Sequence, residues 1–414
     1  MLRKFKFSNF RCYADEVVFD MTAMTLKEHN DTVIEKNGVG ILPVAAIYGA
    51  NASGKSSFFM AMLIMSSVIV DRYLAQNSGV DVKNRVFTTP FMFDKSIENA
   101  PTLFETTIII DSYEYRYGFS CNKQAIFTEY LYKKKISKNT TVEKTIFYRD
   151  NKNISYGKIS KKQQDELNYC FSMSTDKTLL LTDIGMRNKD EEIGNIFDWF
   201  LFNGLSLRIS SDTFFTNNYC ERLVGDMLYE YEKQLPDLYR KYKSFINEVD
   251  PSIDDMEFIE EKDPDGTEYH IARTVHIYNG KKYTVKLSAE SEGTQKIMYV
   301  SLILFRALEM GGSLFIDELD SKMHPLILQR IIRMFTSKST NLNGAQLIFS
   351  AHNLINFNSD DLRRDEIWLT EKKNHKSRMF LLASCEEGNV RSDLNFSKCY
   401  LSGRFGGVPF KDKT

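Results

Sequence analysis

Gly49-Ala50-Asn51-Ala52-Ser53-Gly54-Lys55-Ser56 follows the apolar run Val44 to Tyr48 and precedes a second apolar stretch, Ser56 to Val70, that carries no charge. The spacing fits the P-loop pattern GxxxxGK[ST] in its required setting of strand, glycine loop and helix. Glycines at both ends let the backbone curl so that its N–H groups and the helix N-terminus face phosphate oxygens. Lys55 is then placed to reach the β- and γ-phosphates of a nucleotide, and the Ser56 hydroxyl to bind Mg²⁺. Gly49, Asn51, Ser53, Gly54, Lys55, Ser56 and Ser57 are the expected nucleotide contacts of this loop.

A loop of this kind needs a second acidic segment, and Ser313-Leu314-Phe315-Ile316-Asp317-Glu318 supplies one as an apolar strand ending in two carboxylates. The expectation is a Walker B strand lying parallel to and beside the P-loop strand. Asp317 then stands near the Mg²⁺, and Glu318 stands where it can polarise a water against the γ-phosphate.

Composition sets the limits within which these motifs act. The 414 residues are 43% hydrophobic, enough for a substantial core, and 54 Lys+Arg against 55 Asp+Glu leave no global charge to drive binding to nucleic acid or acidic membranes. The Ser56 to Val70 run is shorter than the ~20 apolar residues that span a bilayer, so a buried helix is expected. The first residues, Met1-Leu2-Arg3-Lys4-Phe5-Lys6-Phe7, alternate basic and apolar side chains like a strand rather than a signal peptide, which implies a cytoplasmic protein with no membrane partner. Six scattered cysteines (Cys12, Cys121, Cys170, Cys220, Cys385, Cys399) show no CxxC and no metal-ligand spacing, and read as ordinary thiols.

Around the nucleotide loop the pattern changes three times. Residues 1 to about 20 read as two strands joined by a tight turn near Asn9 to Tyr13. From about Phe87 to Tyr156 branched and aromatic residues dominate, which predicts an antiparallel sheet. Asp190 to Val249 has helical spacing without a sustained heptad, and Pro236 interrupts it, so no coiled-coil rod is expected. A turn at Asp263-Pro264-Asp265-Gly266 then precedes two strand-like runs, Glu268 to Tyr278 and Lys281 to Leu287, joined by the hairpin signal Asn279-Gly280. A helix over Thr294 to Met310 leads into the Asp317-Glu318 strand. The division this implies is an N-terminal part of the nucleotide head (1–189), a mainly helical insertion ending in a β-hairpin (190–287), and a C-terminal part of the head (288–414).

Further segments sit at informative places: Ser291-Glu292-Gly293-Thr294-Gln295-Lys296 before the Walker B strand, Leu319-Asp320-Ser321 and Met323-His324-Pro325 after it, and Ile348-Phe349-Ser350-Ala351-His352 as a strand ending in Ser-x-His. With Phe7-Ser8-Asn9-Phe10-Arg11 at the start, Arg363-Arg364-Asp365-Glu366-Ile367-Trp368, and the tail Tyr400 to Pro409, the chain resembles the RecF/SMC-like ABC ATPases. More narrowly it looks like the prokaryotic AAA15/AAA21 grouping, which includes OLD-like, abortive-infection and antiphage ATPases. The resemblance implies an α/β fold, a P-loop NTPase of ABC type with a flanking antiparallel β-sheet.

The resemblance also assigns roles. It implies a signature motif in which Ser291, Gly293 and Thr294 contact the ATP held by the opposite protomer, a D-loop at Asp320, and a γ-phosphate-sensing switch histidine at His352. Lys55, Glu318 and His352 form the catalytic set, Ser56 and Asp317 hold the metal, and ATP with Mg²⁺ are the ligands. The region near Phe87 to Phe93, where relatives carry a Q-loop glutamine, has none.

Because a signature segment cannot reach its own P-loop in such a fold, a homodimer of ATP-sandwiched heads is implied, with higher oligomers left open. The stretch after His352 is expected to be too short for a nuclease domain, and Asp360, Asp361, Asp365 and Glu366 read as helix-end caps facing solvent. The expected function is an ATP-hydrolysing sensor or regulatory subunit of an antiphage system that controls a separate effector protein. The alternative is a RecF-like repair ATPase that binds DNA through Lys133-Lys134-Lys135, Lys158 and Lys161-Lys162.

Overall fold

The computed structural model describes residues 1–78, 88–136, 142–187, 191–209, 218–263, 266–385 and 394–408. Phe87, Asp190, Pro264, Asp265, Pro409 and the side chain of Cys220 lie outside the described residues.

A five-stranded sheet carries the nucleotide loop. Its order runs Ser313–Ile316, Gln346–Ser350, Val44–Gly49, Ile367–Lys373 and Lys376–Leu381, with the first four strands parallel. Parallel strands are covered on both faces and therefore read as continuous apolar runs. The alternation is visible residue by residue: Val44, Ala46 and Tyr48 enter one core while Ala45 and Ile47 enter the other, and Phe315, Ile348 and Trp368 join the second. The expected adjacency of the Asp317-Glu318 strand to the P-loop strand is corrected here, because Gln346–Ser350 lies between them. That insertion puts Ser350, rather than the P-loop backbone, next to Asp317.

The second core lies between this sheet, the helix Lys55–Ser78 and a seven-stranded antiparallel sheet. In that sheet Leu2–Ser8 pairs with Val17–Asp20 on one side and with Thr102–Ile110 on the other, followed by Tyr113–Cys121, Ile126–Lys135, Lys144–Asp150 and Ile154–Tyr156. Phe58, on the first turns of the P-loop helix, meets Phe5 and Phe19 at ring distances of 5.8 and 5.0 Å. Each fully buried phenylalanine of this kind contributes ~1.5–3 kcal/mol relative to exposure. The P-loop helix is long and apolar enough to cross a membrane by length and composition, yet its Phe58, Ala61, Met62, Met65 and Ile69 are buried in this core.

Two helices in the expected β-rich part, Lys161–Met173 and Leu180–Arg187, were not foreseen. The first opens on a capping box, Ser160 with Gln163, which is a helix start signal present in the sequence. Helix Glu191–Ile209 packs on the P-loop helix and the antiparallel sheet, with Phe197 against Tyr73 and Phe200 against Tyr117.

The first core is filled by Glu292–Met310, Pro325–Thr336 and Pro236–Val249. Pro236 takes the first position of its helix, where its missing N–H costs nothing. Beyond lies a three-stranded antiparallel sheet, Asp255–Lys262, Glu268–Tyr278 and Lys281–Lys286, of which the first strand was not foreseen.

Candidate functional site

Ser53 and Gly54 are buried in the loop, and the side chains around them fix its path. The Ser53 hydroxyl pairs with that of Thr370 at 2.5 Å, and the Tyr13 hydroxyl donates to the Gly54 carbonyl at 3.2 Å. A Cβ on Gly49 would stand 2.5 Å from the Thr370 carbonyl oxygen, so this position admits only glycine. The C-terminal tail adds a further hold: Ala50 N–H donates to Gly407 O at 3.1 Å, and the Tyr400 hydroxyl donates to the same oxygen at 2.9 Å. This tail support was missed as a function of the Tyr400 segment, since nothing in its spacing names the loop as its neighbour.

The loop and the start of helix Lys55–Ser78 open on a cleft of about 790 Å³. Asn51, Ala52, Gly54, Lys55, Ser56 and Ser57 line one side, Glu318 and His352 the other, with Arg11, Cys12, Thr89, Pro90, Met92, Phe93 and Lys372 at the rim. No glutamine is among these described lining residues. The first N–H groups of a helix have no intrahelical acceptor and favour anions, so this cradle fits a polyphosphate.

Lys55 lies across the loop, its Nζ donating to Gly49 O at 2.7 Å and to Ala50 O at 3.2 Å. Burial pulls its pKa below the ordinary lysine range, and the carboxylates of Asp317, Glu318 and Asp320 act in the opposite sense.

Asp317 and Glu318 follow the strand end and are half-buried. Glu318 adopts a left-handed backbone, φ 50°, which costs a non-glycine residue ~1–2 kcal/mol. Side chains grip it from both sides: its N–H donates to Ser350 Oγ at 2.8 Å and its carbonyl accepts from Lys296 Nζ at 2.8 Å. The Ser350 hydroxyl donates onward to Asp317. His352 Nε2 stands 3.4 Å from Glu318 Oε1, and Asp320 accepts from the N–H groups of His352 and Asn353 at 2.8 and 2.7 Å.

The Asn9-Phe10-Arg11 turn builds the rim. Asn9, itself at φ 51°, donates to the carbonyls of Ile97 and Ala100 and accepts from Phe91 N–H at 3.0 Å. Arg11 N–H donates to Thr89 O at 2.6 Å. These bonds hold the segment that supplies Thr89, Pro90, Met92 and Phe93 to the cleft, and the exposed Phe93 ring stacks on His375 at 4.7 Å. Neither ring was singled out in the sequence, because the pair forms only through this turn.

Ser291, Gly293 and Thr294 do not line the cleft. Helix Glu292–Met310 starts two residues earlier than expected, with Ser291 as its cap accepting from Thr294 N–H at 3.1 Å, and Thr294 Oγ1 donates to Asp250 at 2.9 Å. Glu366 does cap a short helix, accepting Arg363 N–H at 2.9 Å, but the solvent-facing placement expected of Asp365 and Glu366 is corrected. Both are buried, Asp365 pairing with the fully buried Arg363 at 2.8 Å while Arg363 donates to the carbonyls of Met24 and Glu28. A buried guanidinium needs a counter-charge, and the adjacent aspartate meets that need. Asp361 accepts from Gln329. Among the described residues no group of three or more His, Cys, Asp and Glu side chains is placed to hold a metal ion.

Residues 44–167 and 191–356 match the family described as "AAA domain, putative AbiEii toxin, Type IV TA system". The chain belongs to this family. With the loop, strand order and cleft above, this AAA-domain protein is a P-loop NTPase of the α/β class. No curated protein matches the chain. Three solved structures are similar in fold, each with a TM-score of 0.41. They are an SmcHead bound to the C-winged helix domain of ScpA (12% identity, covering 92% of this chain and 96% of that chain), the SMC head domain from Thermotoga maritima (14%, 92% and 98%), and an Smc head domain with a coiled coil and joint derived from Pyrococcus yayanosii (12%, 92% and 96%).

Proposed function

We propose that this AAA-domain protein hydrolyses ATP at composite sites of a head-to-tail homodimer and uses the cycle to control a separate effector in an antiphage system. The observation that carries the ATPase reading is the meeting of Glu318 and His352 with the P-loop residues Lys55, Ser56 and Ser57 in one cleft. The family's description as a Type IV TA system supports the defence role.

In this reading the amides of the loop and helix start bind the phosphates, with Lys55 swinging from the Gly49 and Ala50 carbonyls to the β- and γ-phosphates. Ser56 and Asp317 would hold Mg²⁺, which supplies charge neutralisation on the phosphates. Glu318 polarises a water for in-line attack on the γ-phosphorus, taking its proton as the bond to the leaving ADP oxygen breaks. His352, beside the Glu318 carboxylate, orients that water and senses the γ-phosphate. Ser291, Gly293 and Thr294, which do not line their own cleft, serve the nucleotide of the partner protomer, with Asp320 holding the loops of Glu318 and His352 in register.

The partner-facing surface lies in the region from 190 to 287, and deleting part of it should abolish effector co-purification while sparing ATP binding. DNA binding through the lysine runs has less support at Lys133, which is half-buried and paired with Glu192. The test is ATP hydrolysis by the purified chain with and without duplex DNA, beside Lys55→Ala and Glu318→Gln. Turnover lost in both variants and indifferent to DNA supports the reading, and stimulation by DNA favours a DNA-clamping ATPase instead.

A further inference from the structure

The signature helix and the carboxylate strand of the same chain are physically joined. Lys296 is buried on the second turn of helix Glu292–Met310, and its Nζ donates to the Glu318 main-chain carbonyl at 2.8 Å. At the helix start, a Cβ on Gly293 would lie 2.9 Å from the Lys322 carbonyl oxygen, so the helix end abuts the loop after Glu318. Glu292 meets Lys322 at 3.2 Å on the outside of that contact, and Lys322, like Glu318, has a left-handed backbone, φ 57°. The loop from Glu318 to Lys322 therefore holds two strained residues, and the signature helix presses on it at both ends.

Packed elements of this kind move as units rather than deforming continuously. A shift of the helix must be taken up at Glu318, whose backbone geometry is costly and depends on the Lys296 and Ser350 bonds.

We propose that Lys296 is a positioning residue that couples the two nucleotide sites of the dimer, transmitting engagement of the signature helix on the partner's ATP to the Glu318 that acts on the chain's own ATP. This rests on the composite-site reading given above. In that arrangement each chain's signature segment belongs to one site and its Glu318 to the other, and Lys296 is a direct bond between them. Nucleotide binding at one site then sets the backbone, and with it the carboxylate, at the second. Coupling between sites in proteins is typically ~5–150-fold in affinity or its equivalent.

The test compares wild type, Lys296→Met and Lys296→Arg in ATP turnover against ATP concentration, with binding of a fluorescent ATP analogue and thermal melting measured alongside. Wild type should show a Hill coefficient above one. Lys296→Met should lower kcat by about tenfold and bring the Hill coefficient to one while analogue affinity changes by less than about twofold, and Lys296→Arg, which keeps a long donor, should recover most of both. An unchanged Hill coefficient in Lys296→Met, or a wild type that is itself non-cooperative, overturns the coupling while leaving the ATPase reading intact. Turnover that survives Lys55→Ala overturns the composite-site reading and the coupling with it. If Lys296→Met melts far below wild type, Lys296→Arg decides: full stability without cooperativity overturns the proposal, and full cooperativity supports it.

Discussion

Asp320 accepts the backbone N–H of His352 at 2.8 Å, which ties the loop after the Asp317-Glu318 strand to the loop that carries the histidine. The two loops leave neighbouring parallel strands, so one carboxylate keeps Glu318 and His352 facing each other across 3.4 Å. Replacing it with Asp320→Ala should lower kcat by ~10- to 100-fold with a smaller change in KM, since the loss falls on positioning rather than on ATP binding. Steady-state kinetics at saturating ATP measure it, and a change confined to KM would speak against this role.

Ser350 serves the same pair from within the sheet. Its hydroxyl is the acceptor for Glu318 N–H and the donor to Asp317, so Ser350→Ala leaves both partially unsatisfied and relaxes a left-handed backbone. A loss of ~1–3 kcal/mol is the ordinary cost of one such buried bond. The expected outcome is a tenfold or greater fall in kcat, read beside a denaturant midpoint that falls modestly.

Glu366 sets a pH dependence of stability. It is fully buried, and burial, with Asp365 beside it, pushes its pKa from an ordinary 4.5 up to about 8 against the opposing bond from Arg363 N–H. The folded protein thus keeps a proton there that the unfolded chain releases above about pH 4.5. The stabilisation is complete below that value and is lost as pH rises through about 8. Melting temperatures followed across this range should fall with rising pH in wild type and fall less in Glu366→Gln, which is neutral throughout. Parallel curves for the two proteins would contradict the assignment.

Much of this site was open to reading in the sequence because its chemistry is local. A phosphate loop needs glycines at fixed spacing, and an acid pair must end an apolar strand, so Gly49 to Ser56 and Asp317-Glu318 stood out. What stayed hidden depends on distant segments meeting. The order of strands is not written in motif spacing, which is why Gln346–Ser350 was not expected between the two motif strands. Asp365 and Glu366 look like surface carboxylates until Arg363 is seen fully buried beside them. The rim built by Asn9 and the tail held by Gly407 likewise join residues far apart along the chain.

Arg363 offers a stability test independent of nucleotide. Its guanidinium, fully buried, bonds Asp365 and the carbonyls of Met24 and Glu28, which pins the N-terminal segment to the sheet. Arg363→Met strands the Asp365 charge and should cost ~3–5 kcal/mol. The double variant Arg363→Met/Asp365→Asn should recover part of that loss in denaturant unfolding. Equal destabilisation of the two would show that the ion pair is not the cause.

The two-chain site is tested most directly by the solution mass of Glu318→Gln measured by light scattering with and without ATP. A variant that binds ATP but does not turn it over should accumulate the closed pair, so the mass should rise with ATP from 48.0 kDa to twice that value. A protein that binds ATP, stays at the single-chain mass, and whose wild type nevertheless hydrolyses ATP would contradict the composite site.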